Sequence, residues 1–289
     1  MSCRQTSKSL AFGALLSALL MGARAFAAPV GIVAEPCPDP FTPTAAFNDL
    51  VTALIIEPHR ITPEELQRFM KDPELAKVNE ATRRAAGQDW AGLCRYRASN
   101  EKIRAAAAPP RVVFMGDSIT ENWNLADAAF FDKGVVNRGI SGQTSSQMLV
   151  RFRADVVALH PKIVHILAGT NDVAGNTGPL TAQDFKNNIM SMVELARGNG
   201  IAVILGSIPP AAGFNWRPEV KPVPIILELN RWLRDYAKEK GLRYVDYYTP
   251  LAGPAGELKA DLGNEGVHPN RKGYEIMRKL AAESLSQSR

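Results

Sequence analysis

Four consecutive apolar residues, Val112-Val113-Phe114-Met115, stop at Gly116 and are followed by Asp117-Ser118. An unbroken apolar run of this length predicts a strand buried on both faces, and a glycine at its end lets the backbone turn sharply. Ser118 then stands at the carboxyl end of a central strand, where open α/β sheets place their ligands. A serine there can attack a carbonyl only with a neighbouring base, because a free hydroxyl is essentially never ionised at neutral pH. Of the four histidines, His59 reads as a surface loop residue, His160 sits beside Pro161 at a helix end, and His165 lies inside an apolar strand where a core role is expected. His268, in a loop just before the last helix, is the candidate base.

Three further blocks accompany the serine: Ile140-Ser141-Gly142-Gln143-Thr144, Ala168-Gly169-Thr170-Asn171-Asp172 and Glu265-Gly266-Val267-His268-Pro269-Asn270. Together and in this order, from about Arg111 to Ser286, they resemble the GDSL or SGNH esterase family. The resemblance implies an oxyanion hole built from the backbone N–H of Ser118, the backbone N–H of Gly142 and the side-chain amide of Asn171. It also implies an aspartate three residues before the histidine, to orient the ring and stabilise its charged form. Glu265 occupies that position here, and its extra methylene moves the carboxylate by about 1.5 Å. Asp261 is an alternative partner outside the family spacing.

The elements that must hold these groups alternate strand and helix. Strands are expected at 112–115, 134–137, 163–168, 202–205 and 243–246. Helical segments are expected at 124–131, 144–159, from 181 to about 198, 224–240 and 270–286. Strands joined through helices require right-handed crossovers and a parallel sheet, hence a three-layer α/β/α sandwich. The resemblance implies the flavodoxin-like strand order 2-1-3-4-5. The long connection from Ser207 to Val223 leaves strand four at the edge that carries Ser118. It offers Phe214, Trp216 and Arg217 as candidate substrate contacts. An aromatic and cationic loop suits a small acyl group on a sugar or similar polar alcohol better than a long aliphatic chain.

Residues 1–27 have the form of a signal peptide: Arg4 and Lys8, an apolar stretch from Leu10 to Met21, and Ala25-Phe26-Ala27 as the cleavage signal. Export is expected, to the periplasm or beyond. The formal charge of +5 then falls to +2 as Arg4, Lys8 and Arg24 leave. No basic cluster points to nucleic acid, and no apolar run is long enough to span a membrane. Cys37 and Cys94 remain after Cys3 is removed, which favours a disulfide over two separate buried thiols. Residues 28–108 are expected to be an extended and helical extension, with start signals at Thr62-Pro63-Glu64-Glu65 and Asp72-Pro73-Glu74 and a helical run over 89–108. The hydrolase domain follows over 109–289.

No histidine, cysteine and carboxylate set has metal-ligand spacing, and Gly139-Ile140-Ser141-Gly142 lacks the lysine of a phosphate loop, so no cofactor is expected. The resulting expectation is an exported serine esterase acting on a small-molecule or glycan ester. The rivals are an O-acyltransferase on glycans, a lysophospholipase or thioesterase acting on lipids, and a non-catalytic glycan-binding homologue. Oligomeric state is not legible.

Overall fold

The computed structural model describes residues 31–37 and 42–286. The expected signal peptide lies outside them. The chain divides into Met1–Pro36, whose described residues form bends without helix or strand, and Cys37–Arg289, which carries every feature below.

Five parallel strands form the sheet: β1 (Val112–Gly116), β2 (Val135–Gly139), β3 (Ile163–Leu167), β4 (Ala202–Gly206) and β5 (Arg243–Val245), in the order β2-β1-β3-β4-β5. Alternate residues of a strand face opposite layers, so a strand buried on both sides is apolar along most of its length. In β1, Val113 and Met115 join Val164, Ile166, Val203 and Leu205 on one face, under helices α6 (Ser145–Asp155), α8 (Ala182–Gly198) and α9 (Pro222–Lys240). Val112 and Phe114 join Ile204 and Val245 on the other, under α5 (Ser118–Ala126) and α11 (Arg271–Ser286). His165 lies on this second face, stacked on Phe114 at 4.5 Å with Nε2 at 2.9 Å from the Tyr247 hydroxyl. Burial pushes its ring down to about 3, which makes it the neutral core histidine expected.

Helix boundaries differ from the expected ones in informative places. The helix after β1 begins at Ser118 itself and not at Asn124, because Asp117 caps it: its Oδ1 accepts from the Ile119 N–H at 2.9 Å. The expected helix over 144–159 ends at Asp155 and continues only as a 3₁₀ turn. The expected run over 89–108 is helical only in α4 (Arg97–Ala105). Before it, Asp89 accepts from the backbone N–H groups of Leu93 (2.8 Å) and Cys94 (2.7 Å), and so caps a set of turns.

The extension is an integral part of this unit. Helix α1 (Ala45–Val51) and the π-helical turn Thr52–Ile56 insert Val51, Ile55 and Ile56 into the second core. Helix α2 (Pro63–Met70) starts at the expected Thr62 capping box and α3 spans Pro73–Gln88. Cys37 and Cys94 form a disulfide with Cα atoms 5.5 Å apart. A buried polar network ties α4 to the sheet. Arg138 Nε donates to Asn100 Oδ1 (2.9 Å), Asn100 Nδ2 to Asp155 Oδ1 (2.6 Å), and Arg151 to Asp155 (2.9 Å), Gln143 Oε1 (2.6 Å) and the Gly116 carbonyl (3.0 Å). Both Arg151 and Asp155 have no exposed side-chain surface, so these bonds take the place of water around their charges.

Candidate active site

In this strand order the chain reverses direction across the sheet between β1 and β3, and the crevice at such a switch point is where α/β sheets bind ligands. Ser118 follows β1, Gly142 follows β2 and Asn171 follows β3. All three therefore collect at the carboxyl edge although they come from three separate loops of the chain.

Gly116 ends β1 because of crowding. A Cβ there would lie 2.0 Å from Thr120 Oγ1 and 3.0 Å from the Leu167 carbonyl oxygen. Its φ is not in the left-handed region, so close approach of α5 and β3 explains the glycine better than a special turn. Ser118 is the first residue of α5, so its N–H has no partner within the helix and points out at the positive end of the helix dipole. Gly142 has φ +79, and a Cβ there would meet no atom within 4 Å. Backbone conformation, not crowding within the protein, is what favours glycine at this position.

His268 reaches this edge from the far end of the sequence. Its Nε2 lies 2.8 Å from Ser118 Oγ, and its Nδ1 lies 2.7 Å from Glu265 Oε1. The same carboxylate oxygen accepts from the His268 backbone N–H at 2.6 Å. The glutamate thus folds back on its own loop, and the longer side chain is absorbed without loss of the contact. Asp261 is exposed and takes part through its carbonyl, which accepts from Asn270 Nδ2 at 3.1 Å. Burial alone would push the Glu265 carboxyl up, but the His268 charge and these hydrogen bonds outweigh it and hold it low. Burial likewise opposes a charged His268 ring, yet Glu265 and the Asp117 charge raise it above the ordinary histidine value.

The extension braces both loops of the site. Asn264, next to Glu265, donates Nδ2 to the carbonyls of Leu54 (2.9 Å), Ile55 (3.1 Å) and Glu57 (2.7 Å) at the end of the π-helical turn. On the other side, Gln143 Nε2 donates to the Ala91 carbonyl at 2.8 Å. Arg95 bridges at 2.8 Å to Glu121, which accepts from the Ser141 N–H at 2.8 Å.

Asn171 is buried and its amide is fully engaged. Nδ2 donates to Asp117 Oδ2 and to the Gln143 carbonyl, both at 3.1 Å, and Oδ1 accepts from Asn176 Nδ2 at 2.6 Å. The donor bonds are at the long end of the N–H···O range. Burial pushes the Asp117 carboxyl up to about 6, partly offset by its Ile119 hydrogen bond and the His268 charge. Asp117, Asn176, Glu121 and Arg95 were not among the candidate residues. Only Asp117 carried a local signal, an aspartate directly before a helix start.

The Ser207 to Val223 connection has a buried first half, where Asn230 binds both the N–H (2.7 Å) and the carbonyl (2.9 Å) of Ile208. Phe214 is only 2% exposed and belongs to the core, so its ring backs Trp216 at 5.2 Å instead of facing solvent. Trp216 is 43% exposed and Arg217 is exposed. Trp216 Nε1 donates to Asn176 Oδ1 at 3.0 Å, which joins this loop to the Asn171 cluster. Among the described residues, no three His, Cys, Asp or Glu side chains converge as a metal site.

A line of hydroxyl, imidazole and buried carboxylate can deprotonate an alcohol and make it a nucleophile. Known proteins resemble this chain. A GDSL-like lipase from Bacteroides thetaiotaomicron is 44% identical, with a TM-score of 0.65 over 68% of this chain and 98% of that one. The esterase TesA of Pseudomonas aeruginosa is 31% identical over 177 residues, 56% of this chain and 81% of TesA. The lipoprotein YqeF of Bacillus subtilis is 33% identical over 117 residues, 34% of this chain, so that the match spans about half (48%) of that relative. Residues 114–276, which run from β1 into α11 and take in Ser118, Gly142, Asn171 and His268, match the family described as GDSL-like Lipase/Acylhydrolase, and the chain belongs to it.

Proposed function

We propose that the protein is an exported serine esterase that cleaves short acyl esters, acetyl above all, from sugars or similar polar alcohols through an acyl-enzyme. The observation that carries this reading is the contact of Ser118 Oγ with His268 Nε2 at 2.8 Å, with Glu265 behind the ring at 2.7 Å. His268 takes the Ser118 proton as the oxygen attacks the ester carbonyl. The carbonyl oxygen becomes an oxyanion facing the N–H groups of Ser118 and Gly142 and the Asn171 amide. Collapse of the intermediate expels the alcohol, which receives the proton from His268. Water then repeats the sequence on the acyl-serine and releases the acid. Glu265 keeps Nδ1 protonated, so that Nε2 is free to accept, and it stabilises the imidazolium formed at each step.

The acyl preference rests on the Ser207–Val223 loop, whose exposed residues include Trp216 and Arg217. An aromatic face beside a cation suits a sugar, whereas a long acyl chain needs a continuous apolar channel. Export accords with the Cys37–Cys94 disulfide, because such bonds persist in oxidising compartments. Among the described residues no helix is long and apolar enough to cross a membrane. We take 28–108 as the bracing extension and 109–289 as the hydrolase domain.

The test is turnover of p-nitrophenyl esters by the wild type and by Ser118→Ala. Loss of hydrolysis in a folded Ser118→Ala is expected, and near wild-type turnover would remove Ser118 from the role. With an acyl series, rates should be highest for acetyl. A steady rise toward octanoyl would show a lipid-type site and rule out a loop built for sugars.

A further inference from the structure

The candidate oxyanion donor is the third member of a hydrogen-bond chain that begins on the protein surface. Trp216 Nε1 donates to Asn176 Oδ1 (3.0 Å), Asn176 Nδ2 donates to Asn171 Oδ1 (2.6 Å), and Asn171 Nδ2 donates to Asp117 Oδ2 and the Gln143 carbonyl (3.1 Å each). An asparagine amide has nearly the same shape when its oxygen and nitrogen exchange places, so only its partners decide which way it points. An indole N–H is a donor and never an acceptor. Trp216 therefore turns the oxygen of Asn176 toward itself and the NH₂ of Asn176 toward Asn171. Asn171 in turn shows its oxygen to Asn176 and its NH₂ to the catalytic edge. The Asp117 carboxylate, an acceptor at the far end, requires the same sense.

We propose that Trp216, acting through Asn176, is a positioning residue that fixes the orientation of the Asn171 amide and so couples the substrate loop to oxyanion stabilisation. This rests on Asn171 being an oxyanion donor. The indole is 43% exposed and is backed by Phe214, so its outer face is open to the alcohol part of an ester. A group stacked there excludes water from the Trp216–Asn176 bond, and a hydrogen bond strengthens as the local dielectric falls. Recognition of the alcohol then acts on kcat as well as on KM. A polar alcohol with one apolar face, such as a pyranose, fits this requirement.

The experiment measures kcat and KM for p-nitrophenyl acetate, with melting temperature as a folding control, in Trp216→Phe, Asn176→Asp, Asn171→Ala and the double variant Asn176→Asp/Asn171→Ala. Trp216→Phe keeps the aromatic face and removes the N–H. Its kcat should fall about 3- to 10-fold, the worth of one neutral hydrogen bond, with KM nearly unchanged. Asn176→Asp can still accept from Trp216 but sets an acceptor against Asn171 Oδ1. Its kcat should fall at least about 10-fold, toward the loss of about 10²- to 10³-fold expected for Asn171→Ala. The double variant should be no slower than Asn171→Ala alone, because both changes remove one donor. Full additivity in the double variant, or a Trp216→Phe enzyme with unchanged kcat, would overturn the coupling and leave Trp216 as a simple platform. A silent Asn171→Ala would instead strike at the oxyanion assignment and take this proposal with it. Trp216 lies at the surface, so Trp216→Phe tests the coupling even if Asn176→Asp fails to fold.

Discussion

Replacing Glu265 by glutamine separates two contributions that a catalytic carboxylate usually makes together. One oxygen, Oε1, accepts from both the backbone N–H and Nδ1 of His268, at 2.6 and 2.7 Å. Two donors converging on one atom hold an acceptor there, so a glutamine is expected to present its Oε1 and keep the productive tautomer. What it loses is the charge. At a separation of about 4 Å and an effective dielectric constant of about 20, a carboxylate and an imidazolium attract by about 4 kcal/mol. The retained hydrogen bond offsets part of this, so kcat should fall by about 10²- to 10³-fold, at about 1.4 kcal/mol per decade. KM should change little, because the charge exists only as the reaction proceeds. Glu265→Ala also loses the tautomer and should fall further, by about 10⁴-fold.

The pH profile supplies an independent readout. In the proposed mechanism His268 acts as a neutral base, so activity is expected above its pKa and lost as pH falls through it. Glu265 and Asp117 raise that pKa against the effect of burial, which moves the acidic limb of kcat/KM for the wild type upward from where an ordinary histidine would put it. In Glu265→Gln the limb should move to lower pH. Stopped-flow or steady-state hydrolysis of p-nitrophenyl acetate across the acidic to mildly basic range measures both effects. A silent Glu265→Gln beside a damaging Asp261→Asn would refute the assignment, and an unmoved acidic limb would show that the carboxylate does not set the His268 charge.

Three further outcomes follow from the fold. Gly116→Ala forces a Cβ to within 2.0 Å of Thr120 Oγ1 and should cost about 1–3 kcal/mol in urea unfolding; an unchanged midpoint would mean that α5 shifts freely. Asp155→Ala removes the carboxylate from the fully buried Arg151 and should cost about 3–5 kcal/mol, a loss that a neutral result in the same assay would contradict. Alkylation of the unreduced, denatured protein should leave Cys37 and Cys94 unmodified, and breaking their 57-residue link should lower stability by up to about 4 kcal/mol on the loop-entropy argument.

The α/β sandwich was legible because both-face burial leaves an apolar signature that is unbroken in β1 and β4 and interrupted only by His165 in β3, and because capping residues such as Thr62 and Thr181 act on their own neighbours. Ser118, Gly142, Asn171 and His268 were named from their local blocks and from the family that those blocks resemble. Local sequence could not place the ends of helices whose limits depend on side chains elsewhere, and 89–96 read as helix because the capping role of Asp89 has no periodicity. The substrate loop shows the same limit in a different form. Phe214 and Trp216 are near neighbours in the chain and chemically alike, yet one is buried and the other half exposed. Only packing distinguishes them. The extension carried no legible chemistry, since much of its contribution is made by backbone carbonyls at Leu54, Ile55, Glu57 and Ala91, and every residue type has a carbonyl. Residue types thus determined which groups could react. Tertiary structure decided which way each amide and carboxylate points, because orientation is set by hydrogen-bond partners that lie far away in the chain.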